Sequence, residues 1–481
     1  MALSDLPGNA FIDPQGHNRA SIEAVLQRVT EQILDYLAGA ARHVPLPQVN
    51  AVDFPGIPDQ PIAIAPLLER LGDLMAQSMN PAHPGYMGHM DPLPSTASIV
   101  GDWAAAALNN NMLSVEMSPA LSRLEPQLLA EIAQMFGLGA QAGGLLTSGG
   151  SLANLQALTV ARNRQLGCLD RGLAGQPPAV ILASELAHTS LQKAAMVLGL
   201  GRQGLVPVPT NQQGEMDPNA LEDCIKGCRA RGQRPFAVVA TAGTTVTGSI
   251  DPLPEVHRLA RAHGLWFHVD AAYGGALIFS PQQRHRLAGI EAADSITFNP
   301  QKWLYVTKTC ASVLFRDMTQ LADHFRIPAP YMHNQADCPN LGEFSLQGTR
   351  HGDGLKLWLS LQHLGKAGYA ALIETSYALT QTLVEAIQQR PDLALACPPA
   401  MNLACFRSCP PALDPGQWDG WNLRLQQQLL QQGQVFFSLP LWRGQRWLKA
   451  VLLNPYTQPD QIHRWFELID QWTSTAGPGN P

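Results

Sequence analysis

Between residues 143 and 315 short β-branched or apolar runs alternate with stretches of helical periodicity, and this alternation constrains the fold more than any other feature of the chain. The runs at 179–182, 236–240, 266–269, 295–298 and 312–315 are each bounded by turn-forming or polar residues. Strands separated by helices cannot be joined by tight hairpins. They build a mostly parallel sheet with helices on both faces, so an α/β fold is predicted. In such a sheet ligands bind beyond the carboxyl ends of the strands, and the residues after each run are where chemistry is sought.

At 481 residues the chain exceeds what one core usually organises. Helical stretches at 21–37 and 62–79, separated by a Pro-rich segment, predict an N-terminal helical arm over 1–80. A large domain is expected over 81–365. Within it, residues 326–348 carry Pro328, Pro330 and Pro339 with little periodicity, and are expected to form a mobile lid. A long helix over 355–389, followed by strands at 403–406 and 447–453, predicts a small C-terminal α+β domain over 366–481.

Composition narrows the partners. A net charge of −6 provides no basic footprint for nucleic acid. No stretch approaches the roughly 20 apolar residues of a membrane span; the richest, 99–108, is interrupted by Gly101 and Asp102. The N-terminus lacks the positive start and apolar run of a secretory signal, so a cytoplasmic location is expected. Eight cysteines without a Cys-x-x-Cys pair read as free thiols. Cys224 with Cys228, and Cys405 with Cys409, have no histidine nearby, and no metal site is expected.

Five clusters follow the strands. Asp270 ends the run at 266–269 and precedes the small residues Ala271, Ala272, Gly274 and Gly275, which leave room for a planar ring. A carboxylate there suits a pyridinium nitrogen and equally suits a helix cap. Lys302 sits in Asn299-Pro300-Gln301-Lys302-Trp303, far from any charge run. Burial among such neighbours would depress its pKa and make it a nucleophile for a Schiff base; a snorkelling lysine is the ordinary alternative. Thr147-Ser148-Gly149-Gly150-Ser151 leads into a helix whose first N–H groups can hold a phosphate, although such a turn needs no ligand. His188 and the Thr241 to Thr245 turn end two further strands, offering an imidazole to lie on a ring and hydroxyls for a polar substituent. Each cluster has an ordinary structural explanation. Together they supply complementary parts of one site.

With these residues in place, the chain resembles the group II pyridoxal-5'-phosphate (PLP) dependent amino-acid decarboxylases, the family of aromatic-L-amino-acid, glutamate and diaminobutyrate decarboxylases. The likeness runs from about Pro81 to Pro459, through Asn80 to Pro84, Glu116 to Pro119 with Leu124-Glu125, Thr147 to Asn154, His188, Asp270 to Gly275, Asn299 to Trp303 and Gly348 to His351. It implies fold type I with a seven-stranded sheet. It also implies that Lys302 carries PLP as a Schiff base, Asp270 pairs with the pyridine nitrogen, and His188 and Ala272 flank the ring. Gly150, Ser151 and Asn299 would hold the phosphate, with Gln301 beside them and Thr245 near the ring. The family works as a homodimer with sites at the interface, so Gly348 and Thr349 would reach the partner's phosphate. Tyr331 would protonate the carbanion left by CO₂. His83, Pro84, Tyr86 and Met87 are the expected substrate-binding residues.

Two departures stand out: Gln301 replaces the family's usual histidine before the lysine, and Lys449 stands where relatives often have arginine. An amide can still donate to a phosphate oxygen but does not titrate near neutrality. The expected reaction is decarboxylation of an L-amino acid. The alternatives are an aldehyde synthase or carbon–carbon lyase of the same fold, and a catalytically silent relative.

Overall fold

A computed structural model describes residues 6–49, 56–330, 332, 338–432 and 435–475. Two helices open the chain, α1 (Arg19–Ala38) and α2 (Ile64–Ala76), followed by α3 (Thr96–Leu108) and α4 (Leu121–Met135). Then come β1 (Gly143–Thr147), α5 (Gly150–Leu166), β2 (Ala179–Ser184), α6 (Ser190–Val197), β3 (Leu205–Val208), α7 (Pro218–Ala230), β4 (Arg234–Thr241) and α8 (Leu253–His263). The strands β5 (Trp266–Asp270), β6 (Ser295–Phe298) and β7 (Ala311–Phe315) complete a seven-stranded sheet of order β1-β7-β6-β5-β4-β2-β3.

All five runs read from the sequence are strands of this sheet. From β3 to β6 the neighbours pair in parallel, whereas β7 is antiparallel to both β6 and β1. The central strands bury every residue because helices cover both faces, as parallel sheets require. Leu182, Val238, Val269 and Ile296 face one buried core; Ile181, Val239 and Val313 face another.

After α9 (Met318–Phe325) comes the 35-residue helix α10 (Gly354–Gln388), with a break at Gly365, whose φ of 61° is one that side chains with a Cβ rarely adopt. Its first half gives Leu357 to the core under the sheet. Its second half gives Leu383 and Ile387 to a third core. Around that third core lie a three-stranded sheet of β8 (Leu393–Leu395), β9 (Leu403–Ser408) and β12 (Leu448–Val451), the helices α11 (Trp418–Gln432) and α12 (Pro459–Thr475), and a short pair, β10 (Leu441–Trp442) and β11 (Gln445–Arg446).

One buried ion pair ties two of the sequence landmarks together. Arg350 donates from Nη1 and Nη2 to the two carboxylate oxygens of Glu125 at 3.0 and 2.8 Å, and Glu125 also accepts from the backbone N–H of Leu146 in β1. The pair anchors the segment after Thr349 beneath the first strand. Replacing Glu125 by alanine leaves a buried guanidinium without its counter-charge, and a loss of about 3 to 5 kcal/mol is expected. A urea unfolding series checks this, with the Glu125→Leu, Arg350→Met double variant recovering most of the loss.

Candidate active site

Lys302 lies in the turn that follows β6. Its backbone N–H donates to Asn299 O at 3.0 Å, and the turn is clamped to the start of β7 by Gln301, whose N–H donates to Cys310 O and whose Oε1 accepts from Cys310 N at 2.6 Å. With that oxygen engaged, the Gln301 Nε2 is the group left to donate toward the cavity it lines. Behind the lysine, Trp303, Leu304, Tyr305 and Val306 are all buried. Trp303 stacks on Tyr273 at 5.0 Å, fixing the turn against the segment that follows β5. Burial lowers the Lys302 ammonium pKa, with Asp270 and Asp91 acting against that shift and Lys308 adding to it. An amine so placed spends more of its time unprotonated and nucleophilic.

Asp270 ends β5 and is 5% exposed. One oxygen accepts from Ala272 N at 3.1 Å and the other from Asn154 Nδ2 at 2.9 Å. Asp270 and Lys302 line one cavity of about 380 Å³. Its walls also include Gly150, Ser151 and Asn299, together with His188, Thr245 and Ala272. Nine residues singled out from the sequence therefore meet at one place, drawn from the ends of five different elements.

Gly150 and Ser151 form the first turn of α5, where N–H groups lack intrahelical acceptors and the helix dipole favours an anion. A Cβ at Gly150 would lie 2.7 Å from Asn299 Nδ2, so glycine leaves room for the Asn299 side-chain amide at the helix start. Two buried polar atoms at the cavity, Asn299 Oδ1 and Thr241 Oγ1, have no hydrogen-bond partner among the described residues. Buried polar atoms are rarely left so, and both are placed to meet a polar group in the cavity. His188 Nδ1 accepts from Ser190 N at 3.2 Å, which places the ring proton on Nε2; partial desolvation lowers its pKa, with Asp270 acting against the shift, and favours the neutral imidazole.

Other expected residues lie elsewhere. Gly348 and Thr349 are exposed on this chain's surface, Thr349 accepting from Asn111 at 3.2 Å, while the neighbouring Gln347 accepts from Ser148 N at the cavity edge. His83 and Pro84 line a separate pocket beside Arg464 and Trp465. Tyr86 packs on Phe436, and Met87 is buried in the third core. Tyr331 lies outside the described residues. The base of the expected lid is held by an ion pair of Arg326 with Glu343 at 2.7 Å and by Ile327 N donating to Glu343 O at 3.0 Å.

The structure also places residues outside the expected cofactor set near Lys302 or at the cavity. Asp91 forms an ion pair with Lys308 at 2.5 Å, and both act electrostatically on Lys302. Lys449 is buried and donates to Thr245 O at 3.2 Å. Thr241 and Gly243 line the cavity. No local pattern marks Asp91 or Lys308, because their meaning depends on a lysine far away in the chain.

A shielded amine, a carboxylate lining the same cavity and a helix start for a phosphate are the parts of a fold type I PLP enzyme. A profile of the pyridoxal-dependent decarboxylase conserved domain matches residues 49–409. The chain is 34% identical over 424 residues to L-2,4-diaminobutyrate decarboxylase of Rhizobium meliloti, covering 87% of this chain and 84% of that protein. It is also 34% identical over 353 residues to the mouse cysteine sulfinic acid decarboxylase, with 72% and 71% covered. The crystal structure of Oryza sativa TDC with PLP and tryptamine superposes with a TM-score of 0.90 at 25% identity, covering 97% of this chain and 100% of that one. The chain belongs to the pyridoxal-dependent decarboxylase family: its cofactor is PLP, and its reaction is the decarboxylation of an amino acid.

Proposed function

We propose that Lys302 holds the cofactor through its Nζ, that Asp270 pairs with the ring nitrogen, and that His188 and Ala272 flank the ring. Gly150, Ser151 and Asn299 receive the phosphate, with the Gln301 amide as a further donor, and Thr245 lies by the ring substituents. Bound there, PLP supplies the electron sink for the pair left at Cα when CO₂ departs. Asp270 keeps a proton on the ring nitrogen, and Tyr331 returns a proton to Cα. Neutral His188 packs against the ring without adding a charge that would repel its protonated nitrogen. The single observation that carries this reading is the convergence of Lys302 and Asp270 on one cavity.

The working unit in this reading is a homodimer, with Gly348 and Thr349 completing the partner's site. Support comes from surfaces a lone chain leaves open. The 20-residue helix α1 buries none of its residues. Val100, Trp103 and Leu108 on α3 are exposed large apolar residues. His188, Ser151 and Thr245 at the cavity mouth are exposed as well. A cytoplasmic location fits the eight free cysteines, and among the described residues no helix is long and apolar enough to cross a membrane.

The substrate in this reading is a short L-amino acid whose side chain ends in a charge. Asp91 and Lys308 place one charge of each sign beside Lys302, and the relatives named above act on diaminobutyrate and cysteine sulfinate. CO₂ release measured across diaminobutyrate, aspartate, glutamate, cysteine sulfinate, tyrosine and tryptophan tests it. One of the first four is expected to exceed the two aromatic acids in kcat/KM by at least about 100-fold, since a site built to pair with a polar substrate group rejects an analogue lacking it by more than that factor. Preference for tyrosine or tryptophan would overturn the assignment.

A further inference from the structure

Asp270 is the end of a buried hydrogen-bond chain whose donors and acceptors are all determined. Asn154, in the first turns of α5, donates from Nδ2 to Asp270 Oδ2 and to Ser190 Oγ, both at 2.9 Å. Its Oδ1 accepts from Thr297 Oγ1 at 2.6 Å and from His268 Nε2 at 3.0 Å. His268 on β5 therefore carries its proton on Nε2, and its Nδ1 accepts from Ser295 Oγ at 2.8 Å. Ser295 Oγ in turn accepts from Trp266 Nε1 at 2.8 Å. The run Trp266, Ser295, His268, Asn154, Asp270 has one direction, and reversing any amide or ring breaks two bonds at once.

Each member is at most 5% exposed. The neutral ring is the form the surroundings select, since burial pushes the His268 pKa down to about 4. A protonated His268 would still donate to Asn154, but its Nδ1 would lose the Ser295 hydroxyl as a donor. Asn154 is the only member that touches Asp270, and it belongs to the same helix turn that carries Gly150 and Ser151. One short piece of α5 thus contributes both to the phosphate cradle and to the hold on Asp270 Oδ2, while Ala272 N holds Oδ1.

We propose that Asn154, held by neutral His268, is a positioning residue that aims the Asp270 carboxylate at the ring nitrogen of the cofactor. This rests on the reading that Asp270 pairs with that nitrogen. Asn154 touches no reacting atom; it acts through Asp270. Losing a hydrogen bond to a charged group at this position is expected to cost about 10- to 100-fold wherever the Asp270–nitrogen contact contributes. A role confined to holding the fold would show in unfolding alone.

The test compares binding of PLP and of its 1-deaza analogue, which has a CH in place of the ring nitrogen, to the apoprotein. Asn154→Leu is expected to weaken PLP binding about 10- to 100-fold and to change binding of the analogue less than threefold. His268→Leu should reproduce part of the effect, and His268→Gln, which can still donate to Asn154, should restore it. Equal weakening of both ligands, or of neither, overturns the proposal, and the His268 pair decides the matter if Asn154→Leu does not fold. Asp270→Ala is the control: if it fails to separate the two ligands, the pairing of Asp270 with the nitrogen is at fault. If it separates them while the Asn154 and His268 variants do not, only the positioning role falls.

Discussion

Lys302→Ala is expected to lose the visible absorption that PLP shows when joined to a lysine, and to lose CO₂ release by on the order of 10³-fold or more. The size of the effect follows from the cavity, where no other lysine is among the lining residues. Lys449 and Lys308 act on Lys302 or its surroundings, but Lys449 donates to Thr245 O and Lys308 is paired with Asp91. The apoprotein should not be destabilised by the change. Burial already disfavours the Lys302 ammonium, so replacing it by a methyl group removes a desolvated charge. Unchanged thermal unfolding of the apo variant, beside a lost absorption band, separates a chemical role from a structural one.

Asp270→Ala is expected to show a different split. Lys302 remains, so at saturating PLP the cofactor still attaches and the protein is coloured, yet kcat falls by roughly 10²- to 10³-fold because the ring nitrogen loses the charge that keeps it protonated. The change also leaves the N–H of Ala272 without its acceptor and removes one of the two acceptors of Asn154 Nδ2. A modest loss of stability of about 1 to 3 kcal/mol follows from that exposure of buried donors. A variant with full colour, full stability and full activity would remove Asp270 from the chemistry.

The sequence told most about the strands buried on both faces, where β-branched and apolar residues dominate even though β5, β6 and β7 include His268, Ser295, Thr297 and Ser312. It told less about β1 and β3. In β1 the pair Gly143-Gly144 weakens the strand signal and reads as part of a glycine-rich turn. In β3 Pro207 interrupts the run, and it is tolerated because β3 is the outermost strand of the sheet. The site was legible where several weak signals shared one topological position, the ends of parallel strands. It was not legible where meaning comes from distant pairing. Asn154 and His268 lie 114 residues apart, and Asn154 was visible only as the last letter of a glycine-rich motif. His83, Pro84, Tyr86 and Met87 rested on resemblance alone, since no periodicity says which side of a turn faces a cavity.

The covalent link itself provides the most direct measurement. Reduction of the holoenzyme with borohydride, followed by proteolysis and mass spectrometry, fixes the cofactor to whichever amine holds it. A single pyridoxyl group on the peptide spanning Asn299 to Trp303, at Lys302, is the predicted result. A pyridoxyl group on Lys449, Lys308 or any other lysine, with Lys302 unmodified, would contradict it.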